Sequence, residues 1–235
     1  MPKIATSDFA VLIWNGKDTL RFLNSISSND VLNLNDGQVI STVVLNNKAK
    51  IVDFIHIFQL NGNIISITYK PYLDHLYQYL TEKILGQDVS FSNITHLNTL
   101  TINYGDSIIS KCYTCNSENG ITNVNINDKF EFLITSTSMP NEPDSAEIDF
   151  TDWRIANAIP WYSFEITQTR NPYQCGLNEY VHESKGCYTG QEILTRMRSR
   201  NKGMKQIYVG NNKDFEKNNV TTQGSTNYLS IINSQ

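Results

Sequence analysis

Residues 51–69 read IVDFIHIFQLNGNIISITY, and this stretch decides the fold class. Two runs, 51–60 and 64–69, are β-branched and aromatic, the composition that suits a pleated strand. Asn61 and Gly62 lie between them, a pair that takes the positive φ values of a type I′ turn. The stretch predicts an antiparallel hairpin. Working outward, a strand over 38–45 is bounded by Asp36-Gly37 and Asn46-Asn47-Lys48. Upstream, 9–14 reads as a strand, and Asp18 can cap a helix through Ile26 with Leu20, Leu23 and Ile26 on one face. Downstream, Pro71 opens a helix to about residue 85 with Leu73, Leu76, Leu80 and Ile84 as its apolar stripe. Gly86 stops it. This order predicts an α+β fold with antiparallel sheets and helices on one face.

Further strands are expected over 89–94, 99–104, 121–126 and 130–135. The stretch 135–147, with Pro140 and Pro143, reads as a loop inside one domain. A short helix over 149–158 ends before Pro160. Only 206–209 and 228–232 read as strands beyond it, with a polar, Asn-rich turn between them. The expected organisation is one large domain over 1–205, with that internal loop, followed by a short β region over 206–235.

The 235 residues carry 19 Lys+Arg against 23 Asp+Glu, a net charge of −4. That balance argues against a globally basic nucleic-acid binder. No apolar run approaches the roughly 18 residues a membrane helix requires. The N-terminus lacks the pattern of a secretory signal. Four cysteines in such a chain read as free thiols in a reducing compartment, which points to a cytoplasmic location of the bacterial type, or to an organelle matrix if a transit peptide precedes this sequence.

The chemistry is concentrated in Lys185-Gly186-Cys187-Tyr188-Thr189-Gly190-Gln191-Glu192. Thr189 and Glu192 have the spacing of a capping box, which predicts a helix from near Thr189 through Ile193, Leu194 and Met197. Cys187 then precedes a helix N-terminus, where unpaired N–H groups and the helix dipole favour an anion. Lys185 adds a positive charge, and both effects favour a thiolate. Gly186 and Gly190 allow close backbone approach to a ligand. On local physics alone the segment is a reactive cysteine or anion-binding loop, or else a buried structural cysteine.

This octapeptide resembles the signature of the YgfZ-type folate-binding proteins, relatives of the aminomethyltransferase (T-protein) of the glycine cleavage system. The resemblance extends over roughly 9–210. Trp14-Asn15-Gly16-Lys17-Asp18, Phe22-Leu23 and Ser28-Asn29-Asp30-Val31 are similar to the family's N-terminal pattern. Residues 45–51 are similar to its turn–basic–strand segment. Arg154-Ile155 and Ile159-Pro160 are similar to the segment upstream of the signature. The resemblance implies a T-protein-like fold with the C-terminal barrel shortened. It implies binding of tetrahydrofolate, a role in iron–sulfur cluster assembly or repair, and an indirect effect on tRNA modification. Reduced folate and iron–sulfur proteins or their assembly machinery are the implied partners, without direct contact to nucleic acid or membrane. Cys187 is the implied functional thiol, with Lys185 beside it. Gly186, Tyr188, Gly190, Gln191, Glu192, Arg196, Tyr69 and Asp74 are the expected folate-binding positions.

Two departures argue against aminomethyl transfer. The T-protein glutamate two residues after the arginine is Ala156 here, and Asp74 matches the spacing of its folate-facing aspartate poorly. The family glycine before Ile-Pro is Ala158. The alternatives are a folate-dependent one-carbon transferase and a folate-free scaffold.

Other features have plainer readings. Cys112-Tyr113-Thr114-Cys115 lacks a following helix, since 116–120 reads as a turn, and lacks further ligands nearby, so no metal site is expected. The basic run Arg196, Arg198, Arg200, Lys202 and Lys205 is a solvated face or a landing strip for the folate glutamate. Glu142, Asp144, Glu147, Asp149 and Asp152 suit a loop and helix start. His56, His75 and His96 are expected at ordinary surface or strand positions, and His182 stands near Cys187. Trp153, Trp161, Tyr162 and Tyr188 read as core, with one or two available to stack on a pterin.

Overall fold

The computed structural model describes residues 1–105, 111–139, 143–200, 203–214 and 219–233. Pro140, Glu142 and Lys202 lie outside the described residues. The chain begins with β1 (Lys3–Thr6), β2 (Phe9–Asn15), α1 (Thr19–Ile26), β3 (Val39–Leu45), β4 (Ile51–Leu60), β5 (Asn63–Tyr69), α2 (Leu73–Lys83) and β6 (Ser90–Asn93). Five of these strands form an antiparallel sheet in the order β3-β4-β5-β2-β6. The β4–β5 hairpin closes at Asn61 (φ 51°) and Gly62 (φ 78°), with Leu60 opposite Asn63. Both central residues are left-handed, as a type I′ turn requires.

Both faces of β4 are buried. Ile55 and Ile57 pack with Leu23 of α1 and Leu76 and Leu80 of α2. Phe54 and Phe58 point the other way, into a larger core with Phe132 and Tyr162. Val44 pairs with Asp53 but Leu45 with Ile51, so a bulge at Val52 resets the alternation.

The second sheet contains β7 (Asn98–Tyr104), β8 (Cys115–Glu118), β9 (Ile121–Asn125) and β10 (Phe130–Ser136), in the order β1-β7-β10-β9-β8. It is antiparallel and faces the first sheet across the large core. Then come α3 (Glu147–Ala156), a long irregular segment and α4 (Gln191–Ser199). β11 (Lys205–Asn211), β12 (Val220–Gln223) and β13 (Asn227–Asn233) form a third sheet, ordered β11-β13-β12. No helix among the described residues is long and apolar enough to cross a membrane.

Several local expectations are corrected. Asp18 occupies the N-cap of α1 without capping it; its carboxylate accepts from the Asp88 N–H at 3.0 Å. Residues after Tyr69 make a 3-10 turn, Lys70–Tyr72, before α2, which stops at Lys83 and leaves Leu85 exposed. Residues 116–120 are not all turn. β8 runs through Glu118, and Asn119 (φ 53°) and Gly120 (φ 79°) alone reverse the chain. β8 is an exposed, polar edge strand, and β1 and β12 are short, so none carries the apolar alternation that marks a strand in sequence.

Candidate functional site

The 185–192 segment is fastened to α1 and to the β3–β4 turn. Lys185 is buried, and its ammonium donates to the carbonyls of Asn24 (2.8 Å), Ser27 (2.7 Å) and Asn29 (2.6 Å). All three ammonium protons are thereby used. These carbonyls close the C-terminal end of α1, where a cation is favoured by the dipole. Tyr188 lays its ring 5.0 Å from the same nitrogen. Burial pushes Lys185 down to about 8, against the pull of Asp30. Its charge is thus directed at the end of α1.

The Thr189 N–H donates to the Ser25 carbonyl at 2.9 Å. The expected capping box does not form. The N-cap is Gly190 in the left-handed region (φ 82°), and α4 starts at Gln191. Gln191 donates from its side-chain amide to the Lys185 carbonyl at 3.4 Å. Between these anchors, Gly186 and Cys187 are exposed. Glu192 pairs with Arg196 at 2.9 Å and Glu183 with Arg198 at 2.9 Å, all on the surface.

All four cysteines are free, and only Cys187 is exposed. Burial raises Cys115 to about 11 and Cys175 to about 12. Among the described residues no group of three or more His, Cys, Asp or Glu is placed to hold a metal ion.

Tyr69 and Asp74 have different neighbours from the signature loop. Tyr69 stacks on Tyr162 with ring centroids 4.6 Å apart, and its hydroxyl meets Ser163 at 3.1 Å. Asp74 is exposed in the first turn of α2.

The structure places a cavity of about 290 Å³ where β4, the β9–β10 turn and the segment after α3 meet. Phe54, Phe130, Trp161, Tyr162 and Tyr180 wall it, and His56 contributes a buried polar edge. A second cavity of about 450 Å³ adjoins it, lined by Ser41, Lys111 and Cys112 among others. The two share Tyr113, Glu179 and Tyr180.

Sequence reasoning missed His56 as a site residue. It does lie on a strand, but it is buried, with Ser41 Oγ 2.8 Å from Nδ1 and Tyr162 Oη 3.3 Å from Nε2. Burial drives its pKa to about 3. A single histidine inside the apolar run 54–58 was the available signal, because a buried imidazole requires partners. Asp53 is the other buried ionisable group of β4. It accepts from the Thr68 hydroxyl and from the N–H groups of Tyr69 (3.1 Å) and Phe54 (2.8 Å). Burial nevertheless raises it to about 7.

Behind the cavity, Arg154 and Glu165 form a buried ion pair at 3.0 Å. Glu165 also accepts from the Trp161 N–H (3.0 Å) and from the hydroxyls of Thr221 and Thr222 on β12. This network fixes the Trp161–Tyr162 wall to α3 and the third sheet. Ala158, just before Ile159-Pro160, has φ 55°. Ala156 is exposed at the end of α3.

No protein-family model matches the chain. In sequence it is 22% identical over 241 residues to the aminomethyltransferase of Caldanaerobacter subterraneus subsp. tengcongensis. That alignment takes in 87% of this chain, which spans 64% of the length of that curated relative. In structure it superposes on the glycine cleavage system aminomethyltransferase T of Bartonella henselae with a TM-score of 0.76 at 11% identity, covering 98% of this chain and 78% of that one. The chain therefore has the α+β fold of the aminomethyltransferase T-protein and is related in sequence to an aminomethyltransferase.

Proposed function

We propose that this protein binds a reduced folate, tetrahydrofolate, with the pterin ring in the aromatic cavity beside β4. The observation that carries this reading is the cavity itself, whose lining combines the aromatic residues Phe54, Trp161, Tyr162 and Tyr180 with a few polar groups. A flat heteroaromatic ring is complementary to such a lining. The relationship to aminomethyltransferases supports the same ligand. Within that reading the protein is a YgfZ-type cytoplasmic accessory factor of iron–sulfur cluster assembly or repair, affecting tRNA modification through the enzymes it serves. Cys187 supplies its functional thiol. The exposure of Cys187 between buried anchors supports presentation of that thiol to a partner protein.

Saturating tetrahydrofolate under anaerobic conditions should stabilise the protein by about 2–3 kcal/mol at roughly 100-fold above Kd, read as a rise in melting temperature. No rise at saturation rejects the folate assignment and leaves the scaffold reading. Cys187→Ser should preserve folding and folate binding but abolish support of iron–sulfur enzymes in cells. The same change at Cys112, Cys115 or Cys175 should be mild. Full complementation by Cys187→Ser would remove the thiol from the function.

A second reading, one-carbon transfer, is favoured by two exposed acids on the cavity lining, Asp128 and Glu179. An acid within reach of the folate amine is what proton transfer to an aminomethyl group requires. Turnover of an aminomethyl donor with tetrahydrofolate that collapses in Glu179→Gln would select it over the accessory role.

A further inference from the structure

β1 is an edge strand of the second sheet, and its outer edge is only half covered. It pairs with β7 through Lys3↔Asn103, Ile4↔Ile102 and Ala5↔Thr101. In an antiparallel ladder the backbone groups of successive residues face the partner strand and the outside in turn. Lys3 faces outside. Its N–H donates to Asp144 Oδ1 at 2.6 Å, and its carbonyl accepts from the N–H groups of Asp144 and Ser145, each at 3.1 Å. Ala5, two residues along, presents its N–H and C=O on the same outer edge. Ala5 is exposed, and nothing among the described residues pairs with either group. Residues 4–7 carry none of the charges or prolines that blunt an open edge.

This free stretch borders a groove of about 500 Å³ between β1 and the start of α3. The groove is lined by Ile4, Ile102, Phe150 and Trp161, which belong to the large core or pack against it. Asp8 and Glu147 line it too, exposed and without an ion-pair partner among the described residues. The 144–145 segment already covers the edge at Lys3 as an added strand would, and it stops short of Ala5. We infer that the β1 edge and this groove form a docking site for an extended peptide of a partner protein. The peptide adds to the second sheet at Ala5, sets apolar side chains on Phe150 and Trp161, and turns lysine or arginine toward Asp8 and Glu147. Main-chain pairing supplies the attachment, and the groove with its two acids supplies the selectivity. Trp161 also lines the inner cavity, so the docking surface adjoins the proposed folate site without depending on it.

The test titrates the full chain with the blocked peptide acetyl-Lys-Val-Thr-Val-Lys-amide, whose valines share one face of a strand and whose lysines share the other. Nitrogen-15 NMR should show the Ala5 amide and the Trp161 indole shifting together, with a Kd of about 1 mM or tighter. The analogue acetyl-Glu-Val-Thr-Val-Glu-amide should bind at least about tenfold more weakly, because like charges then meet at Asp8 and Glu147. Ala5→Pro removes the outward N–H and leaves the β1–β7 ladder whole, so it should keep the wild-type melting temperature and lose the peptide. Asp8→Asn with Glu147→Gln should fold normally and weaken the lysine peptide about threefold or more at low salt. An Ala5 amide that does not move at the solubility limit of the lysine peptide overturns the inference. So does equal binding by Ala5→Pro, or equal affinity for the two peptides. If Ala5→Pro fails to fold, the double acid variant decides, and an unchanged Kd overturns the assignment. Sedimentation showing a dimer that Ala5→Pro dissolves would put a second copy of this chain on the edge and overturn the peptide as its occupant.

Discussion

Gly190 packs directly on the Asn46 carbonyl: a Cβ at Gly190 would lie 2.9 Å from that oxygen and 3.0 Å from Ala49 Cα. Gly190 is also left-handed, at φ 82°. The start of α4 is thus seated on the β3–β4 turn, and two segments distant in sequence become one platform under the Cys187 loop. Gly190→Ala meets both a close contact and an unfavourable φ. A destabilisation of about 2 kcal/mol or more is expected in urea titrations, combining the ~1–2 kcal/mol cost of the left-handed region with the contact. A variant as stable as wild type would show that the seat yields freely.

Ala158 carries the opposite imbalance. It occupies φ 55° at the turn that follows α3, where the resembling family has glycine. Ala158→Gly removes a strain of roughly 1–2 kcal/mol and adds back part of that as unfolded-chain entropy. A net gain of about 0.5–1 kcal/mol should appear as a higher denaturation midpoint with an unchanged slope.

The Arg154–Glu165 pair should be costly to break on one side. Both side chains are essentially excluded from solvent, at 1% and 0% exposure. Arg154→Met strands a buried carboxylate, with an expected loss of about 3–5 kcal/mol. Arg154→Met with Glu165→Leu should recover much of that loss, because no charge is left uncompensated. Circular dichroism melts of the two variants compare them directly. Equal losses would place the cost in packing and in the Trp161, Thr221 and Thr222 donors that lose Glu165, and not in charge.

His56 and Asp53 pull the pH dependence of stability in opposite directions. His56 falls from 6.5 to about 3 on folding. Between those values the unfolded chain binds a proton that the folded one does not, so stability drops as pH falls through that window. Asp53 rises from 3.8 to about 7. There the folded protein holds the extra proton, so stability grows as pH falls from about 7 toward 4. His56→Phe removes the first contribution only. Relative to wild type, the variant should gain stability on acidification from pH 6.5 to pH 4. Parallel pH–stability curves for the two proteins would contradict the buried, neutral His56.

The first sheet was legible because its signals are local. Asn61-Gly62 fixes the hairpin through φ, and the 51–60 run is apolar on both faces because both faces are covered. The edge strands were not. β8 exposes Asn116, Ser117 and Glu118, and its pairing depends on β9 and not on its own composition. The Thr189–Glu192 spacing suggested a cap, but the left-handed Gly190 and its seat on Asn46 moved the helix start to Gln191. Lys185 and Cys187 stood out in sequence as neighbours. Only the fold shows that the lysine reaches back more than 150 residues to the end of α1. The cavity gathers Phe54, His56 and Phe130 from the two large sheets and Trp161, Tyr162 and Tyr180 from the segment after α3, a convergence that no spacing in the chain displays.

The cavity beside β4 is the proposed folate site. Anaerobic titration calorimetry with tetrahydrofolate should give one binding event per chain for the wild type. It should give no heat for Ile159→Trp, which fills the cavity, provided that variant keeps the wild-type melting temperature in the absence of ligand. No heat with the wild type, or the same heat and stoichiometry for both proteins, would contradict the account.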